Sequence, residues 1–226
     1  MSGEASRTAA LADRYRLTDE TIVVAGQPIE LVRPQAPDDL IDDEQFDADD
    51  RLPYWAELWP SSLVLAGRIA NWRGRRRRFL ELGCGLGLVS LAAARSGYDV
   101  LASDYYEEAL EFTRINAGRN GLGLVTRLID WRRLPADLGT FDLVAASDVL
   151  YERRNVPLVV DAFCRLLSHR GLGLVSDPGR PPAEAFVPAC RARGLLIRPA
   201  GQVPVQRGDT SAKVKVFEIR KGSAEE

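Results

Sequence analysis

The chain has 226 residues, enough for one α/β domain with a full core and no demand for a second. Its 30 Lys and Arg against 32 Asp and Glu give a net charge of −2 and a pI near 5.7. No global field therefore draws it onto nucleic acid or an anionic membrane. Three dispersed cysteines, Cys84, Cys164 and Cys190, argue against a disulfide framework and for a reducing, cytoplasmic setting. The N-terminus lacks the apolar core of a signal peptide, and no apolar run approaches a membrane span. A single histidine, His169, excludes multi-histidine metal sites, and no metal is expected. Lying before Gly171, it reads as the last turn of a helix, beside the negative end of the dipole.

In chain order, residues 1–20 are small and charged with weak periodicity and read as a poorly ordered segment or a short helix. Residues 21–226 form one domain whose first element is a hairpin, Thr21 to Val32, turning at Gly26-Gln27-Pro28. The acidic run 38–50 reads as a solvated loop. An apolar helix, Leu63 to Ile69, follows an aromatic and proline-rich approach, and the arginine run 73–78 is a solvated loop.

Strands and helices then alternate: strand Phe79–Gly83, helix Leu88–Ser96, strand Tyr98–Ser103, helix Glu107–Asn116, and strands Leu124–Ile129 and Phe141–Ser147. Helix Val156–Leu167, strand Gly173–Ser176, helix Ala183–Arg193 and strand Leu195–Pro199 complete the pattern. The closing stretch Ala212–Arg220 alternates strictly, as a half-exposed antiparallel strand does. This order predicts an α/β, Rossmann-like sheet of seven strands, mostly parallel, with helices on both faces and the last strand antiparallel.

Chemistry concentrates in four segments. Glu81-Leu82-Gly83-Cys84-Gly85-Leu86-Gly87 joins a strand to a helix through alternating glycines, which let the backbone turn sharply and bring its N–H groups to a ligand. Asp104 ends the next strand 21 residues after Gly83, where a carboxylate meets ribose hydroxyls, and Tyr105 beside it could stack on a base or begin the next helix. Asp130-Trp131 supplies a hydrogen-bonding group and a flat ring at the sheet's carboxyl edge; the same pair could cap a turn and pack on the surface. Ser147-Asp148-Val149-Leu150-Tyr151 follows the fourth strand, and one helical turn would put Asp148 and Tyr151 on one side. Upstream, Trp59-Pro60 either packs a corner or walls the pocket, where an aromatic face attracts a cation by roughly 0.5 to 2 kcal/mol.

A dinucleotide fingerprint would close its loop with Gly or Ala, whereas this loop closes with Leu88 and carries Glu81 at its head. It resembles motif I of the class I S-adenosylmethionine-dependent methyltransferases, whose cationic sulfonium cofactor tolerates a nearby carboxylate. From about residue 53 to 180 the chain is similar to the seven-strand protein-lysine methyltransferases. The Asp177-Pro178-Gly179-Arg180-Pro181 segment is similar to the branch acting on the electron-transfer flavoprotein β-subunit. That branch has glycines where this chain has Ser61-Ser62.

The resemblance implies S-adenosyl-L-methionine as cofactor and S-adenosyl-L-homocysteine as product. Trp59, Gly83, Gly85, Asp104, Trp131 and Ser147 would contact it, and Asp148 and Tyr151 would face the methyl acceptor. Glu81, Gly87, Tyr105 and Asp130 join the cofactor side on their own spacing. The expected function is N-methylation of lysine in a protein substrate, by a monomer that binds neither nucleic acid nor membrane. A small-molecule N-methyltransferase is the enzymatic alternative, because fold and cofactor loop do not fix the acceptor. A silent cofactor-binding scaffold, with residues 38–50 as its partner surface, is the alternative of another class.

Overall fold

The computed structural model describes residues 9, 11–35, 54–207 and 210–222. The acidic run 38–50 and the first eight residues lie outside the described residues. In chain order the elements are strands β1 (Leu17–Val24) and β2 (Gln27–Pro34), helix α1 (Pro60–Ala70), β3 (Arg78–Leu82), α2 (Leu88–Arg95), β4 (Asp99–Asp104) and α3 (Glu107–Arg119). There follow β5 (Val125–Leu128), β6 (Phe141–Ser147), α4 (Asn155–Leu166), β7 (Leu167–Asp177), α5 (Phe186–Ala192), β8 (Leu195–Arg207) and β9 (Thr210–Lys221).

β3 to β9 form one seven-stranded sheet in the order β5-β4-β3-β6-β7-β9-β8, and β1-β2 is a separate antiparallel hairpin. β9 runs antiparallel to both β7 and β8, while β3 pairs in parallel with β4 and β6, β4 with β5, and β6 with β7. The chain moves outward from β3 to β5, then crosses back to β6. That reversal opens a crevice between the carboxyl ends of β3 and β6, where open α/β sheets take ligands.

Helices cover both faces, so the central strands are buried on both sides. Phe79, Val100, Leu143, Ala145 and Leu174 pack toward α1, α2 and α3. Leu80, Leu82, Val144, Ala146 and Val175 pack toward α4 and α5. The alternation is the period of two along each strand. It also fixes Glu81, which shares the Phe79 side of β3 and is only 1% exposed.

Several elements differ from their expected form. α4 ends at Leu166 and the chain enters β7 directly, so His169 and Gly171 lie in a strand instead of closing a helix. The expected helix 183–193 is split into a 3-10 turn, Pro181–Ala185, and α5, because Pro181 and Pro182 fit a first turn and lack amide donors. β8 continues to Arg207, eight residues past the expected end at Pro199. It is the sheet's edge strand, where proline costs no ladder bond, and its register shifts between Pro199 and Gly201.

The hairpin is fastened by amide side chains that act as extra peptide groups. Asn116 of α3 accepts from Val32 N at 2.7 Å and donates to the carbonyls of Val32 at 3.2 Å and Leu86 at 2.9 Å. One turn on, Asn120 pairs with both the N–H and the carbonyl of Glu30 at 3.0 and 2.7 Å. The β2 edge is thereby satisfied, and the hairpin packs on the sheet's α2–α3 side.

Candidate active site

A cavity opens at the carboxyl ends of β3, β4 and β6. Its floor is the glycine loop. Gly83 and Gly85 have φ of +71° and +52°, in the left-handed region that glycine enters freely. A Cβ at Gly83 would approach Val149 Cγ1 to 3.1 Å, and one at Gly85 would approach the Trp55 carbonyl oxygen to 3.1 Å. Both positions therefore favour glycine by conformation, and a Cβ would crowd its neighbour at each.

Asp104, at the end of β4, is 6% exposed and fastens this loop. One carboxylate oxygen accepts from Gly85 N at 2.9 Å; the other accepts from Tyr105 N at 2.7 Å and Tyr106 N at 3.1 Å. Burial pushes its pKa up and these three amide bonds oppose the rise. A carboxylate has about four acceptor sites, so capacity for one hydroxyl remains.

The wall beyond β5 comes from a 3-10 turn, Trp131–Arg133, capped by Asp130, whose side chain accepts from Arg132 N at 2.9 Å. Arg132 Nε donates back to the same carboxylate at 2.9 Å and holds its pKa below the usual range. The guanidinium also lies 5.2 Å from the Tyr105 ring centre and donates to its hydroxyl at 2.8 Å, so the ring is braced. Trp131 lines the cavity, and its buried Nε1 has no hydrogen-bond partner among the described residues.

The opposite wall follows β6. Asp148 has φ of +57°, unusual for a residue with a side chain, and no helical turn spans Asp148 to Tyr151 as the spacing suggested. The sharp turn after Ser147 swings both residues to the cavity nonetheless. Asp148 Oδ2 accepts from Ser61 Oγ at 3.1 Å and Oδ1 from Arg180 Nε at 2.6 Å. Arg180 in turn lies 5.0 Å from the Trp59 ring centre. Trp59 Nε1 donates to the Tyr54 carbonyl at 2.9 Å, and the Tyr54 and Tyr151 rings are 5.0 Å apart. The mouth is thus aromatic on several sides. Burial raises the Tyr151 pKa, which keeps its phenol protonated.

Of the residues singled out in the sequence, Trp59, Gly83, Gly85, Asp104, Tyr105, Asp130, Trp131, Ser147, Asp148 and Tyr151 all line this cavity. Glu81 and Gly87 do not. Glu81 faces α2, where its Oε2 accepts from Ser90 N at 2.8 Å and Ser90 Oγ at 2.5 Å, and burial lifts its pKa to about 8. It organises the helix start instead of presenting a charge to the cavity. Gly87, with φ of +87°, turns the chain into α2, where a Cβ would meet Thr113 Oγ1 at 2.8 Å. Tyr54 and Arg132 were not singled out, and Ser61 and Arg180 were named only within segments, with no site role. Ser61 and Arg180 lie 87 and 32 residues from the aspartate that they contact, so no local spacing announces them.

Residues 80–175 match the family described as Methyltransferase domain. The chain is 31% identical over 135 residues to the electron transfer flavoprotein beta subunit lysine methyltransferase of Xenopus laevis, covering 57% of this chain and 53% of that one. It is 30% identical to the protein N-lysine methyltransferase METTL21A of Xenopus tropicalis, covering 54% and 60%, and 30% identical to the ubiquinone biosynthesis O-methyltransferase of Bordetella avium, covering 54% and 51%. The matched part spans about half the length of these curated relatives. Among solved structures, the precorrin-6y C5,15-methyltransferase of Geobacter metallireducens superposes with a TM-score of 0.57 at 16% identity, over 71% of this chain and 87% of that one. SMU.776, a putative methyltransferase complexed with SAH, gives 0.64 at 11% identity over 89% and 55%. Sheet order, glycine loop and domain match agree: residues 80–175 match a methyltransferase domain, and the sheet is the seven-strand, Rossmann-like fold of the methyltransferase neighbours.

Proposed function

We propose that this chain transfers a methyl group from S-adenosylmethionine to the side-chain amine of lysine in a protein substrate. The observation that carries the reading is one cavity lined by the glycine loop and Asp104 together with Asp148 and the aromatic rings of Tyr54, Trp59 and Tyr151. The residues present fit the cofactor: the Gly83–Gly85 backbone leaves the room that a Cβ would fill, and the unpartnered Trp131 Nε1 is a donor suited to an adenine ring nitrogen. When bound, the cofactor supplies an electrophilic methyl on a sulfonium. Asp104 would hold one ribose hydroxyl, and Asp130, Trp131 and the braced Tyr105 would hold the base.

On the acceptor side, Asp148 would orient the amine by hydrogen bonding, while Tyr54, Trp59 and Tyr151 exclude water and favour the neutral form needed for attack. Alignment and desolvation supply most of the acceleration in such a site. The lysine assignment draws on the likeness to two relatives named as lysine methyltransferases. The electron-transfer flavoprotein β-subunit is the candidate substrate that the first of them suggests.

The test is incubation of the purified chain with methyl-labelled cofactor and cell lysate, followed by acid hydrolysis. Label in methyl-lysine is the expected result. A second reading is favoured by the similarity to an O-methyltransferase of ubiquinone biosynthesis: a small-molecule acceptor. Label confined to a small methylated product would establish that reading and reject the first.

A further inference from the structure

The Asp148 carboxylate lines the cavity and already has a cation seated on it. We propose that Arg180 is a positioning residue that neutralises Asp148, so that the acceptor amine is held as the free base instead of as ammonium. This rests on the amine-acceptor reading above.

The position of Arg180 is built. Asp177, at the end of β7, accepts from the backbone N–H groups of Gly179 at 2.6 Å and Arg180 at 2.9 Å, an Asx-type turn that fixes where Arg180 leaves the chain. Its guanidinium is then held by Asp148 at 2.6 Å and by the Trp59 face at 5.0 Å. The Asp148 side chain is 3% exposed, so solvent does little to screen it. Ser61 Oγ holds the other carboxylate oxygen at 3.1 Å, and two of about four acceptor sites remain for the amine.

The chemistry sets opposing demands. A hydrogen-bond acceptor must orient the amine, yet an unbalanced carboxylate beside it stabilises ammonium, which has no lone pair to attack with. Pairing the carboxylate with a fixed guanidinium keeps the acceptor oxygen and removes most of the net charge.

The other charged and titratable groups around Asp148 do not supply this balance. Asp177 on β7 and Asp104 on β4 are acids, and Glu152, in the segment after β6, is already paired with Arg154. Glu57, in the approach to α1, is paired with Arg207 at 3.1 Å, and Tyr151 is neutral. Arg180 is the cation seated on Asp148 among the described residues.

The experiment measures the initial rate of methyl incorporation into lysate protein against pH. It compares wild type, Arg180→Lys, Arg180→Gln, and the double variant Asp148→Asn with Arg180→Gln. Calorimetric binding of S-adenosylmethionine serves as a readout independent of transfer and of folding loss. Arg180→Gln keeps a donor to Asp148 but loses the charge. Its acid limb should move up by about one pH unit, which is about tenfold in rate below the limb. Arg180→Lys should keep the limb near wild type. The double variant, neutral again with one carbonyl oxygen for the amine, should return it, and cofactor affinity should be unchanged throughout.

An unmoved limb in Arg180→Gln overturns the proposal. So does tighter acceptor binding in that variant with the limb unmoved, which would make Arg180 a plug that the acceptor displaces. Wild type that labels no protein overturns the amine-acceptor reading itself and the proposal with it, and is recognised before any variant is compared.

Discussion

Glu81 stands inside the sheet–helix layer with its carboxyl bonded to Ser90, and its pKa of about 8 lies above the 4.5 of a free glutamate. The folded state therefore holds a proton that the unfolded chain has released. Between about pH 4.5 and 8 the unfolded state binds fewer protons, so this group lowers stability as pH rises. Glu81→Gln should raise the melting temperature at pH 8 and flatten its fall between pH 4.5 and 8, with the amide oxygen still accepting from Ser90. Unchanged thermal denaturation curves at both pH values would contradict the assignment. A sequence reading places this glutamate at the loop's head because motif spacing registers along the chain. Which face of β3 it takes depends on the two-residue period and on a helix covering that face. Asp104, by contrast, was legible: a strand-ending acid reaches the carboxyl edge whichever face it leaves from.

At the level of elements, the parallel core from β3 to β6 was readable because each strand is a short apolar run bounded by turn residues. Edge and junction elements were not. The expected strand stopped at Pro199, and its continuation through Gly201 and Pro204 is tolerated because β8 has no neighbour on its far side. The α4–β7 junction has no intervening loop, so the period changes without a breaker and His169 was assigned to the wrong element. The attachment of the β1–β2 hairpin was equally silent, because it is carried by Asn116, a buried polar residue inside a helix. Asn116→Ala would strand Val32 N and the Leu86 carbonyl without partners at a cost of about 1 to 3 kcal/mol each. We expect urea denaturation to report a loss of about 2 to 6 kcal/mol in total. A loss below about 0.5 kcal/mol would mean that water replaces those bonds and that the hairpin is weakly docked.

Across the whole molecule, Arg207 at the tip of the β8–β9 hairpin joins parts far apart in sequence. It donates to Glu20 on β1 at 2.7 and 2.8 Å, to Glu57 at 3.1 Å and to the Leu58 carbonyl at 3.0 Å. Burial alone would raise the Glu20 pKa, but the hydrogen bonds from Arg207 and Arg33 prevail and hold it low. Glu57 and Leu58 line the cavity, so this tie fixes the aromatic approach to the site. Arg207→Gln should cost about 1 kcal/mol of stability, the groups being partly exposed, and should raise the KM for the acceptor more than it changes cofactor affinity. Equal losses in both would assign Arg207 to folding alone.

Asp104 at the end of β4 and Asp148 after β6 line one cavity, and the proposed function gives the first to the cofactor and the second to the acceptor. Calorimetric titration of S-adenosylmethionine into wild type, Asp104→Ala and Asp148→Ala tests it, with methyl transfer measured on the same samples. Asp104→Ala should lose about one to two decades in affinity, as expected for hydrogen bonds to a charged group. Asp148→Ala should bind within about threefold of wild type, under 1 kcal/mol, and transfer no methyl. Loss of affinity in Asp148→Ala as large as in Asp104→Ala, or full affinity in Asp104→Ala, would contradict the division.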